Sequence, residues 1–70
     1  MRIKVNNKER LELERYDIKV DIRRHSIMAD ILLELDDNSV LKSAATRRKK
    51  KVIELEKELK AIEMALELLN

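Results

Sequence analysis

The residues best equipped for chemistry in this chain are cations. Arg47-Arg48-Lys49-Lys50-Lys51 is an unbroken basic run, and Arg23-Arg24 is a shorter one. Clustered Lys and Arg can neutralise phosphates and gain affinity by releasing counterions. Five successive residues of a helix, however, point all round its axis, and acidic stretches flank the run on both sides. A solvated face that pairs with acids is therefore the plainer reading, and contact with nucleic acid or an acidic partner is the second. Arg47, Lys50 and Lys51 are the candidate contact residues of that second reading. His25-Ser26 is the other grouping to weigh. Neighbours in sequence do not form a dyad, and a catalytic site also needs oriented donors in a pocket. His25 reads as a surface or capping residue. No catalytic, cofactor-binding or metal-binding residue is assigned, and no enzyme is expected.

These side chains must be positioned by a very small framework. The chain has 70 residues, 16 Lys and Arg against 14 Asp and Glu, no Cys, Gly or Pro, and Tyr16 as its one aromatic residue. A single core in a chain this short rarely contributes more than about 3–5 kcal/mol. Without Cys there are no disulfides, and one His cannot complete a structural zinc site that takes four N or S ligands. Self-association or a partner is the remaining stabiliser, and a homodimer is expected. One aromatic residue is too few for binding single strands by stacking. Apolar runs reach only three residues, as at Ile31-Leu32-Leu33, far short of the roughly 20 of a membrane span. The expectation is one domain over 1–70, working in the cytoplasm, or in a host's cytoplasm if viral.

The first third reads as strands. Met1, Ile3 and Val5 alternate with Arg2 and Lys4, and Asn6-Asn7-Lys8 is a turn signal. A three-residue loop there pairs Val5 with Glu9, Ile3 with Leu11 and Met1 with Leu13, keeping apolar residues on one face. Leu11 and Leu13 alternate with acids, and Tyr16, Ile18, Val20 and Ile22 alternate on the opposite parity. The change of phase at Arg15 implies a bulge or a turn. Residues 9–23 are then one bulged strand or two strands of a meander, so 1–23 forms a β layer. A helix from Asn7 to Glu14, capped by Asn7, is the alternative. Ser26 resembles an N-cap for a short helix over 26–36, with Ile27, Met28, Ile31, Leu32 and Leu35 on one face.

Residues 39–69 form one long amphipathic helix. Leu41, Ala45, Arg48, Val52, Leu55, Leu59, Ile62, Leu66 and Leu69 follow a 4-3 spacing broken only by Arg48, which is the seam of a coiled coil or bundle. Ala61, Ala65 and Leu68 add a second row where a further partner could bind. Residues 39–51 carry six cations and no acid, whereas 52–70 carry five Glu and two Lys. That polarity opposes the helix dipole, so a helix running the other way should compensate it. In an antiparallel homodimer centred near Ile53–Glu54, Lys42, Lys49 and Lys51 meet Glu63, Glu56 and Glu58 of the second copy. An in-register parallel pair sets Glu58 against Glu63 and Arg48 against itself. A competing arrangement folds the short helix, with Asp30, Glu34, Asp36 and Asp37, back onto the basic half of the long one as an αα-hairpin.

The fold expected is therefore α+β: an N-terminal β-hairpin or meander, a short helix, and a long C-terminal helix in an antiparallel dimer. Strand, short helix, break and helix resemble the layout of ribbon-helix-helix repressors. That resemblance implies a two-stranded ribbon reading the major groove, here with Asp17, Lys19, Asp21 and Arg23. Two carboxylates there suit DNA poorly, the second helix is about twice the expected length, and no motif is shared. The functional expectation is a small non-enzymatic binding protein, an adaptor, inhibitor or regulator of viral or mobile-element type, directed at an unidentified protein target. A dimeric DNA-binding regulator is the alternative.

Overall fold

A computed structural model describes residues 6–69. It consists of two helices, α1 (Asn7–Leu35) and α2 (Ser39–Leu69), joined by residues 36–38. The helices are 29 and 31 residues long, or about 44 and 46 Å at 1.5 Å per residue. They lie side by side as a hairpin with extents of 52 × 28 × 13 Å, two helices wide and one helix deep. This two-helix, coiled-coil-like arrangement replaces the α+β expectation. Residues 7–23, read as part of a β layer, are helical, and no strand occurs among the described residues. The strand expected over Met1–Val5 lies outside them.

The boundaries have local causes. Asn6, not Asn7, caps α1: its side-chain oxygen accepts the Glu9 backbone N–H at 2.8 Å, and its carbonyl accepts from Arg10 at 3.0 Å. This satisfies one of the N–H groups that a helix start leaves unpaired. With no Gly or Pro in the chain, nothing inside α1 stops propagation. Ser26 is consequently a mid-helix residue, and the expected short helix 26–36 is the last part of α1. The helix ends where Asp36 turns extended, at φ −165° and ψ 156°. Asp36 then accepts the Asp37 N–H at 2.7 Å, and Asn38 caps α2 through Val40 N–H at 2.8 Å and Lys42 N–H at 2.9 Å. Short polar side chains that bond the neighbouring backbone favour such a break over continued helix.

The core is a single seam. Ala29 and Ala45 are 1% exposed, Ile18 is 4%, and Leu55 and Leu66 are each 6%. Half-buried Leu11, Arg15, Ile22, His25 and Leu32 complete the inner side of α1. From Leu11 these positions run 11, 15, 18, 22, 25, 29, 32, a 4-3 pattern like that of α2. Two matching stripes laid antiparallel bury both, each fully covered Ile or Leu contributing about 1.5–3 kcal/mol. The antiparallel neighbour that covers the α2 stripe is α1 of the same chain, but it sets Arg23 and Arg24 rather than acids level with the basic run, so the charge polarity of α2 is not offset there. Asp37 and Lys42 form an ion pair at the turn, in the sense expected for the αα-hairpin.

Candidate functional site

Two surfaces remain once the seam is closed: a basic band around the middle of the hairpin, and an apolar row on the outside of α1. The band is assembled by the fold. In the seam, Arg48 Nη1 lies 3.0 Å from His25 Nδ1, half-buried, which fixes the level of α1 that meets the basic run. Arg23 and Arg24 therefore stand at the same height as Arg47–Lys51, although more than twenty residues separate them in sequence. A guanidinium only donates, so His25 Nδ1 is the acceptor and the ring proton sits on Nε2. The one polar interruption of the α2 seam thus meets a polar interruption of the α1 seam.

Helical geometry sorts the cations onto sides. Lys49 lines an open cleft on one broad side of the hairpin, with Ser26, Asp30 and Ile53. Arg24 and Arg48 line a cleft with Ile27 and Met28. Lys51 and Arg47 are displaced from Arg48 by about 60° and 100° in the sense opposite to Lys49, so they flank the Arg24 side. Lys50 points away from the seam. Among the described residues the basic run forms no ion pair; the two pairs present are Arg24 with Asp21 at 3.9 Å and Lys42 with Asp37.

The second surface is apolar. Leu13, Tyr16, Val20, Ile27 and Ile31 are all exposed, from 38% at Val20 to 67% at Tyr16. Their spacings of three, four, seven and four place them on one side of α1, opposite Ile18, Ile22 and Ala29. Arg24 fills the gap between Val20 and Ile27. α2 has no continuous equivalent: Ser43, Lys50 and Lys57 take its outward positions, and they separate its exposed Val40 and Ile53 from each other and from Met64 and Leu68 near the end.

The residues expected from sequence divide accordingly. Ala45, Leu55 and Leu66 are buried in the seam, Leu41, Arg48, Val52, Leu59 and Ile62 are half-buried there, and Leu69 is exposed at its end. Arg47, Lys50, Lys51, Ala61 and Leu68 are exposed, whereas Ala65 turns partly into the seam beside Leu66. The Ala61/Ala65/Leu68 row thus has exposed ends and a partly covered middle. The ribbon of the repressor layout is absent too, since Asp17–Arg23 is helical. Sequence reasoning missed the outer row of α1, for which the 4-3 pattern starting at Leu11 was the signal, and the convergence of Arg24 with Arg48, which depends on the hairpin register.

Among the described residues no three His, Cys, Asp or Glu side chains converge as a metal would need. None of the described helices is long and apolar enough to cross a membrane. No protein-family model, curated protein or solved structure matches this chain.

Proposed function

We propose that the chain is a non-enzymatic, cytoplasmic binding protein that works through protein–protein contact, with the outer side of α1 as its contact surface. The observation that carries this reading is the row Leu13, Tyr16, Val20, Ile27 and Ile31 opposite the seam. A helix that is apolar on two opposite sides is built to be covered on both. One neighbouring helix covers only one. Contiguous exposed apolar surface of this kind marks an interaction site, and small chains commonly gain their missing stability by association.

A second copy of the chain is the occupant of first choice, because every copy carries the same uncovered row. Sedimentation equilibrium over about 5–100 µM tests it, a range that spans the weak affinities expected of a small interface. The intact chain should associate reversibly, and Leu13→Glu/Val20→Glu/Ile27→Glu should remain monomeric with its helix content unchanged. A monomer throughout that range, or a variant that associates like the parent, would refute self-association through this surface.

A further inference from the structure

The basic band has a second property that the apolar row does not explain. Charge along the hairpin is arranged in three blocks. At the level of the band, residues 20–27 and 45–53 carry seven cations against Asp21, a net of +6. The tip, residues 28–44, carries four acids and Lys42, a net of −3. At the far end, 54–69 carries five Glu and two Lys while 6–19 is balanced, again a net of −3. Acidic stretches that flank the basic run in sequence are thus moved to the two ends of the rod, and the middle is left strongly positive.

One broad side of that middle concentrates the guanidinium groups. Arg24 and Arg48 line its cleft, and Arg47 and Lys51 flank it. The acids nearest to them are Asp21, on Arg24, and Glu54, one turn beyond Lys51. The opposite side offers Lys49 beside Asp30. Three of the four cations on the first side are Arg, whose planar fork takes phosphate oxygens in pairs.

We propose that the face bearing Arg24, Arg47, Arg48 and Lys51 binds duplex nucleic acid through its phosphate backbone, without reading the base sequence. The acidic ends set the geometry: the rod lies across the duplex, with only its middle in contact. Arg24 and Ile27 belong both to this side and to the outer row of α1, so duplex binding and self-association through that row draw on overlapping surface.

Fluorescence anisotropy of a labelled mixed-sequence DNA duplex, titrated with the intact chain across a range of KCl, tests the proposal. Four phosphate contacts predict a log–log salt slope of about −3.6. Arg24→Gln/Arg47→Gln/Lys51→Gln should weaken binding by at least about tenfold at low salt and reduce the slope by about 2.7. Arg23→Gln/Lys49→Gln, with charges removed from elsewhere on the band, should stay within about threefold of the parent, because non-contacting cations add only screened, longer-range attraction. Circular dichroism establishes that each variant keeps its helix. Lys51→Glu, a single exposed change, repeats the test should the triple variant lose helix, with a loss of at least about fivefold expected. Absence of binding by the parent at low salt would overturn the proposal. So would equal losses from both sets of substitutions, or displacement of the duplex by polyglutamate at equal charge concentration, which would identify an acidic protein as the ligand class.

Discussion

α2 is apolar along one side and charged along the other, whereas α1 is apolar along both. Inside the hairpin they are equivalent, each offering a 4-3 stripe with few polar interruptions: Arg48 in α2, Arg15 and His25 in α1. Outside they diverge. The outward positions of α2 are mostly polar or charged, while α1 exposes Leu13, Tyr16, Val20, Ile27 and Ile31. Each helix covers the inner side of the other, and that is all α2 needs. α1 still has an apolar side facing water. In the proposed function the seam holds the hairpin together and the outer row is the contact surface, and substitutions on the two sides should separate them.

The largest effect belongs to the seam. Ile18→Ala and Leu55→Ala remove side chains that are 4% and 6% exposed, and each should cost about 2–4 kcal/mol. A hairpin of this size has little more than that to lose, so helix content should drop sharply at room temperature. Val20→Ala, on the outer row of the same helix, should cost less than about 0.5 kcal/mol in dilute solution. Its cost should grow with protein concentration if a second copy covers the row. Urea unfolding followed by circular dichroism, at low and high protein concentration, measures all three. Equal costs for Ile18 and Val20 at both concentrations would erase the distinction between the sides.

The same contrast explains which parts of the fold were legible in the sequence. α2 has one apolar stripe, so its 4-3 spacing stands out, and its bounds and seam follow from the sequence directly. In α1 two stripes interleave. Tyr16 and Val20 belong to the outer row, Ile18 and Ile22 to the seam, and each pair is an i, i+4 neighbour on one side of a helix. Offset by two residues, which is about 200° of helical rotation, the pairs produce the strict alternation of a strand. The apparent bulge at Arg15 has the same origin. The seam steps by four from Leu11 to Arg15 and by three to Ile18, which changes parity without any change of structure. Composition held the tie-breaker, since a chain without Gly or Pro has poor material for tight β-turns. The basic run was visible, but its meeting with Arg24 was not. That meeting depends on a hairpin register marked by the His25–Arg48 contact, and the polar residues Arg15 and His25 hide the α1 stripe from a purely apolar count.

That pair supplies a smaller and sharper test. Arg48→Leu alone leaves half-buried His25 Nδ1 without its donor, and His25→Leu alone leaves the guanidinium without its acceptor. His25→Leu/Arg48→Leu converts the level to an apolar layer like its neighbours. A double-mutant cycle should give a coupling of about 0.5–1.5 kcal/mol, the usual net value of one hydrogen bond, and the double variant should be more stable than either single one. Additive single effects would mean that the two residues meet without contributing to the seam. The cycle is best run with chemical denaturation at fixed salt, since replacing Arg48 also removes one charge from the basic band.

The helix caps give the smallest difference, and they compare the two helices at their starts. Asn6 and Asn38 accept backbone N–H groups at the same distance, 2.8 Å, so their local hydrogen bonds are alike. Their surroundings differ. Asn6 begins α1 at the open end of the hairpin, where fraying of one turn disturbs only the Leu11 end of the seam. Asn38 lies in the connection, where losing the first turn of α2 also displaces Lys42 from Asp37 and loosens Leu41. Asn6→Ala should therefore cost about 0.5 kcal/mol and Asn38→Ala about 1 kcal/mol, within the range measured for such caps. Hydrogen exchange gives the more specific reading: Asn6→Ala should raise exchange only in the first turns of α1, whereas Asn38→Ala should raise it on both sides of the turn. Exchange confined to α2 in the second variant would show that the two helices are not coupled at the tip, and the turn would then act as a tether rather than as part of the fold.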